Sequence, residues 1–373
     1  MANIFDYVQW RGDLTFTQDP PNAVDALIFS ALSYINYGCR VEAEPAVPVL
    51  LKDAAEDFLA LEDHESRVRV KNDLELLRFA ADSIRFGRSQ LCMYRNEFVP
   101  EQETQFAAMT FLLDDGSMFL AFRGTDYSLI GWKEDFNMTF QQTVPAQRLA
   151  QQYVREVAME YSLPMRIGGH SKGGNLAVFA AARSSPMIQK MILDVYSNDG
   201  PGFTKYLMGD PGYLAMVPRI KTYIPQSSVI GMLLEHEEPY TVIRSKTVGL
   251  LQHDPYSWEV LGRGFIPVQE ITESSQFVDA TIKTWFADMT NQERNQLVDV
   301  MFTLLGSGDA ENVQDLLNPK NIRTYIKTLS SDVGLRRVLS TEFLSLIEAA
   351  KKTRARFEEL KEAEALLEEG SGE

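Results

Sequence analysis

The sequence predicts an α/β protein: a mostly parallel central sheet with helices on both faces, lengthened by helical segments at either end. Three observations carry this. From about residue 146, helical and extended signals alternate, which implies parallel strands covered on both sides. The flanks, 1–88 and 271–373, instead repeat apolar residues every three or four positions. Between a short apolar strand and a small-residue helix stands Gly169-His170-Ser171-Lys172-Gly173, a strand–turn–helix sequence.

The elements follow in order. In the helical preface, Asn22 to Tyr37 and Glu65 to Phe86 have helical spacing, with loop-like prolines between them. Leu91 to Phe98, Gln105 to Leu113 and Ser117 to Phe122 are short aromatic-rich runs. The last two are joined by Asp114-Asp115-Gly116, so the three predict a β-meander with a tight hairpin. A helix is expected from Ala146 to Tyr161, a strand at Met165 to Gly168, a helix from Gly173 to Arg183 and a strand at Lys190 to Tyr196. Further strands fit Arg219 to Ile224 and Tyr240 to Ser245. From about Phe277 the pattern is helical again, with a disordered tail expected over Glu368 to Glu373. Three regions result: a helical extension over 1–88 that packs on the core, a core over 89–270, and a helical C-terminal region over 271–373.

The chain has 373 residues, 45% of them hydrophobic, enough for a large core. Its formal net charge of -16 argues against nucleic acid and anionic membrane surfaces, because no excess of Lys and Arg exists to displace phosphate counterions. The opening Met1-Ala2-Asn3-Ile4-Phe5-Asp6 lacks the basic flank and apolar run of a signal peptide, and no apolar stretch reaches membrane-spanning length. The two cysteines, Cys39 and Cys92, are far apart in segments that look buried, and are expected as reduced core residues. A soluble cytoplasmic protein is expected.

A nucleophilic serine must project its hydroxyl from a sharp strand-to-helix turn, which demands small neighbours. Gly169 and Gly173 lie two residues before and after Ser171, and Met165 to Ile167 precede them. Gly174 to Ala182 is a small-residue helix whose start would set the Lys172 amide and the helix dipole beside a developing oxyanion. The combination predicts an α/β-hydrolase fold with Ser171 as nucleophile. A glycine-rich turn that only packs well, or binds an anion, is the plainer alternative.

Phe122-Arg123-Gly124-Thr125, Trp132 with Asp135 three residues on, and Gly-His-Ser-Lys-Gly-Gly resemble the motif order of the class-three (fungal triacylglycerol) lipases over about residues 105 to 255. The chain is similar over most of its length, from Trp10-Arg11-Gly12-Asp13, to an uncharacterised bacterial family of predicted α/β-hydrolases allied to them. That family has Gly-Thr-Asp, Gly-Trp-Lys-Glu-Asp-Phe-Asn and Gln-His-Asp-Pro-Tyr-Ser-Trp segments. The lipase resemblance implies Thr125 as the oxyanion-hole hydroxyl residue, Ser171 as nucleophile and Asp135 as a support behind the oxyanion loop. One departure matters: where those lipases carry the triad acid, within Asp-x-Val-Pro, this chain has Ser227.

The base must titrate near neutrality, so histidine is the first choice, and four exist. His64 precedes the core, His170 belongs to the turn with its side chain directed away from the serine hydroxyl, and His236 is expected to be solvated among acids. His253, past the Tyr240 to Ser245 strand and closed by Pro255, best fits the order serine, acid, histidine. A surface loop histidine is its plain alternative. The acid is expected at Asp199, where an apolar strand breaks into Gly200-Pro201-Gly202; an aspartate that merely holds this turn is nearly as good an account. Glu235, Glu237 and Asp254 remain alternatives. Asp126 fits a helix cap and Arg123 a salt bridge that anchors its loop. Met, Leu and Tyr residues of Gly231 to Leu234 and Val248 to Leu251 fit an acyl pocket or plain core packing.

No metal-ligand spacing, phosphate loop or dinucleotide fingerprint occurs, so no cofactor is expected. The sequence therefore points to a serine hydrolase that cleaves a carboxylic ester, lipase- or esterase-like, through Ser171, His253 and Asp199. Its partner would be a small-molecule ester or lipid substrate. The rival is a binding or interaction protein that kept the fold and lost the acid, favoured by Ser227. The substrate and the oligomeric state are not legible.

Overall fold

The computed structural model describes residues 1–43, 47–126, 128–308, 316 and 318–370, with side chains in the last helix to residue 362. Two compact units result, Met1–Ile271 and Thr272–Glu373.

The first unit is built on an eight-stranded sheet whose strands lie side by side in chain order. They are β1 (Val49–Leu50), β2 (Gln90–Val99), β3 (Thr104–Leu112), β4 (Met118–Phe122), β5 (Met165–His170), β6 (Ile192–Asn198), β7 (Ile220–Pro225) and β8 (Tyr240–Ile243). β1 to β4 pair antiparallel, the meander read from the aromatic runs. β4 to β8 run parallel, each connection carrying helical or irregular chain across a face. The sheet is mostly parallel with helices on both faces, the α/β-hydrolase class expected.

Side-chain alternation assigns the faces. Phe106 and Ala108 of β3 join Met118, Leu120 and Phe122 of β4 in one core, beneath α7 (Pro145–Tyr161) and α8 (Lys172–Ala182). Met109 and Phe111 join Phe119 and Ala121 in the other, beneath α1 (Ile4–Arg11), α2 (Ala23–Leu32), α3 (Leu51–Leu59), α4 (Lys71–Asp82) and α5 (Ile84–Gly87). The sequence pattern did not single out α1 and α3. Every residue of α2 is buried, and the Phe29 ring lies 4.7 Å from Phe111 and 5.0 Å from Phe119. A helix apolar all round belongs inside a core. The N-terminal helices thus form one face of the fold, within the same compact unit as the sheet.

That face contains a buried ion pair. Arg85 Nη2 lies 2.6 Å from Asp25 Oδ2 with both side chains at most 1% exposed, and Arg85 Nη1 also donates to the Asp19 carbonyl at 3.0 Å. Tyr7 Oη donates to Asp25 Oδ1 at 3.0 Å, so each charged atom is satisfied. Cys92 is buried in β2 as expected, whereas Cys39 is exposed in the turn after Tyr37, because the helix read to Tyr37 ends at Leu32; both thiols are free.

The second unit is helical: α11 (Glu273–Ala287), α12 (Asn291–Gly306), α13 (Pro319–Ser331) and α14 (Val333–Gly370). Three shorter helices, α6 (Leu129–Asn137), α9 (Pro186–Gln189) and α10 (Pro211–Met216), complete the first unit. α11 packs on α14 through Phe277 against Phe357 and a 2.7 Å bond from Trp285 Nε1 to Ser345 Oγ. Of the tail expected to be disordered, 368–370 form the end of α14 and 371–373 lie outside the described residues. No helix among the described residues is long and apolar enough to cross a membrane.

Removing one partner of a buried pair strands the other charge, so Asp25→Ala should lower the unfolding free energy by about 3–5 kcal/mol in urea titration. An unchanged midpoint would show that the N-terminal face does not depend on the pair.

Candidate active site

β5 ends at Gly168-Gly169-His170, and α8 starts at Lys172. Ser171 bridges them at φ +59°, ψ −133°, a conformation that costs a residue with a Cβ about 1–3 kcal/mol. Crowding imposes it. A Cβ on Gly169 would sit 2.2 Å from the Gly173 carbonyl carbon, and one on Gly173 would sit 2.1 Å from the Phe122 oxygen. Strand and helix therefore meet with room for glycine alone. The Ser171 amide donates to the Asn198 carbonyl at 3.0 Å, tying the turn to the end of β6. As the first residue of α8, Lys172 has an amide with no acceptor inside the helix.

Asp199 is the next residue after β6, fully buried, at φ +52°. Its Oδ2 lies 2.6 Å from His253 Nδ1. Its Oδ1 accepts from Ser228 Oγ at 2.5 Å and from the Gly231 amide at 3.2 Å. Ser228 and Gly231 lie in the loop after β7, where the resembling lipases carry their acid. In this chain that loop supplies hydrogen-bond donors to a carboxylate from the neighbouring strand. The Ser227 amide donates to Gln252 Oε1 at 2.7 Å.

His253 ends a 3-10 turn, Gly249–His253, and a second turn follows at Pro255–Ser257. Trp258 Nε1 donates to the Gln252 carbonyl at 2.9 Å, and the Gln252 amide to the Thr247 carbonyl at 2.7 Å. His170 holds the turn from below. Its Nε2 lies 2.7 Å from the His253 carbonyl and its Nδ1 3.2 Å from the Tyr34 hydroxyl. A carbonyl can only accept, so Nε2 carries the proton and Nδ1 accepts from Tyr34. The two imidazole rings pack at 4.6 Å. Burial, then the facing His253, holds His170 well below the usual imidazole range, so it is neutral. The His170 ring faces the candidate base. Its position beside Ser171 gave no sign of this, since Tyr34 and His253 lie far away in sequence.

On the other side of Ser171, β4 ends beside β5, with Phe122 paired to Gly169. A Cβ on Gly124 would lie 3.1 Å from the Ser171 Cβ, which brings the next residue, Thr125, to the turn. Thr125 Oγ1 lies 2.6 Å from Asp135 Oδ2. Lys172, of which the sequence singles out only the amide, has a side chain that is 1% exposed and spans from α8 to α6. Its Nζ contacts the Gln105 carbonyl at 2.9 Å, Gln105 Oε1 at 2.8 Å and Glu134 Oε2 at 3.0 Å. Glu134, fully buried, also accepts from the amides of Gln105 at 3.1 Å and Ala146 at 2.8 Å. One carboxylate thereby joins β3, α6, α7 and the serine turn.

The remaining candidates lie elsewhere. His236 is paired, not solvated: its side chain is 10% exposed, 3.1 Å from Glu238 Oε1 and 2.9 Å from the Gly231 carbonyl. Glu235 bonds through its backbone to Phe203, and the Glu237 amide meets Tyr213, so neither joins His253 by a described contact. Asp254 accepts from the Tyr256 amide at 3.2 Å, and His64 Nδ1 meets the Leu61 carbonyl. Ser128, not Asp126, caps α6, because Asp126 bonds the Ser128 amide and leaves the hydroxyl to Gly131. Arg123 reaches Asp126 at 3.9 Å and Asn96 at 2.9 Å. Met232 packs with Ile224 and Val242 in a small core, while Val248, Leu250 and Leu251 are exposed beside His253. Among the described residues no cluster could hold a metal ion.

Glycine takes positive φ without strain, so Ser171→Gly should raise the unfolding free energy by about 1 kcal/mol or more in thermal or urea melts. A lower stability would mean that the serine conformation is not strained.

Several solved structures are similar to this chain. The Rhizomucor miehei lipase propeptide complex is 13% identical, covering 65% of this chain and 81% of that one, at a TM-score of 0.37. M37 lipase is 12% identical over 56% and 69%, at 0.36, and a mutant form of MDLA from Penicillium cyclopium 13% identical over 65% and 83%, also at 0.36. At such scores these likenesses add nothing to the fold, which rests on the strand order. No curated protein sequence matches the chain. The Mbeg1-like family does match, over residues 80–303, and since that is more than half of the sequence, the chain belongs to the Mbeg1-like family.

Proposed function

We propose that the protein is a serine hydrolase of carboxylic esters, with Ser171 as nucleophile, His253 as base and Asp199 as the acid behind it. The observation that supports this most is the 2.6 Å contact between His253 Nδ1 and a fully buried Asp199 at the end of β6, on the strand whose last carbonyl holds the Ser171 amide. A carboxylate on Nδ1 fixes the tautomer that leaves Nε2 free to accept a proton. No hydrogen bond occupies Nε2 or Ser171 Oγ among the described residues.

The reaction then runs in two halves. Ser171 Oγ attacks the ester carbonyl carbon while its proton passes to His253 Nε2, and Asp199 stabilises the imidazolium. The carbonyl oxygen becomes an oxyanion held by the Lys172 amide and by Thr125. When the carbon–oxygen bond to the alcohol breaks, His253 returns its proton to the leaving oxygen. Water repeats the sequence on the acyl-serine and releases the acid. Exposed Val248, Leu250 and Leu251 beside His253 suit an apolar group on the substrate. The rival reading, a fold that lost its acid, drew on Ser227; Asp199 supplies the carboxylate that position lacks.

A fluorophosphonate probe should label the wild type and not Ser171→Ala. Turnover of a short p-nitrophenyl ester should fall on the order of 10⁴-fold in Asp199→Asn, through loss of the productive tautomer. Unlabelled wild-type protein over a range of pH, or an Asp199→Asn variant as fast as wild type, would sink the respective assignment.

A further inference from the structure

The bond between Thr125 and Asp135 has a proton-counting consequence. A threonine hydroxyl owns one proton, and a carboxylate owns none. At 2.6 Å, one of the two oxygens must be donating. If Asp135 is ionised, Thr125 gives its proton to Asp135 and turns lone pairs toward any other neighbour. If Asp135 carries a proton on Oδ2, it donates to Thr125 Oγ1, and the Thr125 proton becomes free. We propose that Thr125 acts as an oxyanion donor only while Asp135 is a neutral carboxylic acid, so that Asp135 is a proton-gated positioning residue of the oxyanion site. This rests on the hydrolase reading given above.

The surroundings favour the neutral acid. The nearest cation is Lys172, whose Nζ is 3.8 Å from Asp135 Oδ1. Its three donors are already spent on the Gln105 carbonyl, Gln105 Oε1 and Glu134. Its charge is balanced by Glu134, so an ionised Asp135 would be a second anion beside a single cation. Although 35% of the Asp135 side chain reaches solvent, its Oδ1 is buried and accepts no hydrogen bond. The charged groups that face it are Lys172 from α8, Glu134 on α6 and Asp126 from the preceding loop; two of the three repel a negative charge. Burial raises the carboxyl most, Lys172 and Thr125 pull it down, and the outcome is a value pushed up to about 6.

The sign follows directly. Below about pH 6 Asp135 is neutral and Thr125 can donate. As pH rises through that value the donor is withdrawn, and each intermediate must form with uptake of a proton or without the Thr125 hydroxyl. The profile of kcat/KM therefore carries a descending limb above about pH 6.

The test is that profile for a p-nitrophenyl ester on the full chain, for wild type, Asp135→Asn, Thr125→Val and the double variant, with Ser171→Ala in parallel. With its oxygen turned toward Lys172 Nζ, as Asp135 Oδ1 is at 3.8 Å, the asparagine amide donates to Thr125 at any pH. Asp135→Asn should therefore lose the descending limb, run on the order of 10-fold faster than wild type at about pH 7 and above, and label with fluorophosphonate to the same stoichiometry. Thr125→Val should lose about 10²–10³-fold, and in its background Asp135→Asn should change nothing. A descending limb that persists in Asp135→Asn, or effects of the two substitutions that multiply independently, would overturn the proposal while Ser171-dependent turnover kept the hydrolase reading. Turnover and labelling independent of Ser171 would overturn both.

Discussion

Close approach of backbone to backbone at the end of β5 is the constraint from which the candidate site follows. Gly169 and Gly173 touch each other, and Gly173 touches Phe122 of β4, so three main-chain segments converge where no side chain fits. The residue caught between them cannot adopt an ordinary conformation, and Ser171 sits at positive φ. Its hydroxyl side then faces the ends of β4 and β6. Both contribute the next candidate groups, Thr125 three residues beyond the end of β4 and Asp199 directly after β6. The glycines thus act by absence: each missing Cβ lets a strand end lie where it delivers a neighbour's side chain.

Around this point two buried polar networks divide the work. One holds the candidate base: Ser228 and Gly231 fix the far oxygen of Asp199, while His170 fixes the carbonyl of His253. The other holds the proposed oxyanion side through Lys172 and Glu134. Both are nearly satisfied internally, which is the condition under which buried polar groups rigidify a site instead of weakening it. On the Lys172 side two buried atoms have no hydrogen-bond partner, Gln105 Nε2 and Asp135 Oδ1. Of the two groups only the carboxyl can change its protonation state.

Much of the fold was legible because periodicity reports which side of an element is buried. The aromatic-rich runs from Leu91 to Phe122 with their Asp114-Asp115-Gly116 turn gave the meander, and the spacing in Ala146 to Tyr161 gave α7, each within a few residues of its observed limits. Ser171 was legible through its glycines, and the pairing of Asp199 with His253 through chain order. What stayed hidden depends on contacts between distant segments. His170 reads as a turn residue until Tyr34 arrives from 136 positions away. Nothing in the sequence ties the Lys172 side chain to Gln105 and Glu134, and a cluster of acids around His236 reads as solvated until Glu238 turns inward to Tyr213 and Thr222. Charge in a sequence carries no information about which charges will meet.

The bond from Tyr34 to His170 bears on where this protein can be cut. The family match starts at residue 80, beyond α1, α2 and α3 and inside α4. Yet Tyr34 stands at the serine turn, its hydroxyl 2.3 Å from where a Gly124 Cβ would lie, and α2 covers Phe111 and Phe119 of the sheet. The segment that the family model matches therefore begins inside the compact unit that folds. The first 79 residues seal one face of the sheet and bring the Tyr34 hydroxyl to the serine turn, so a chain cut at the start of the match would lose both.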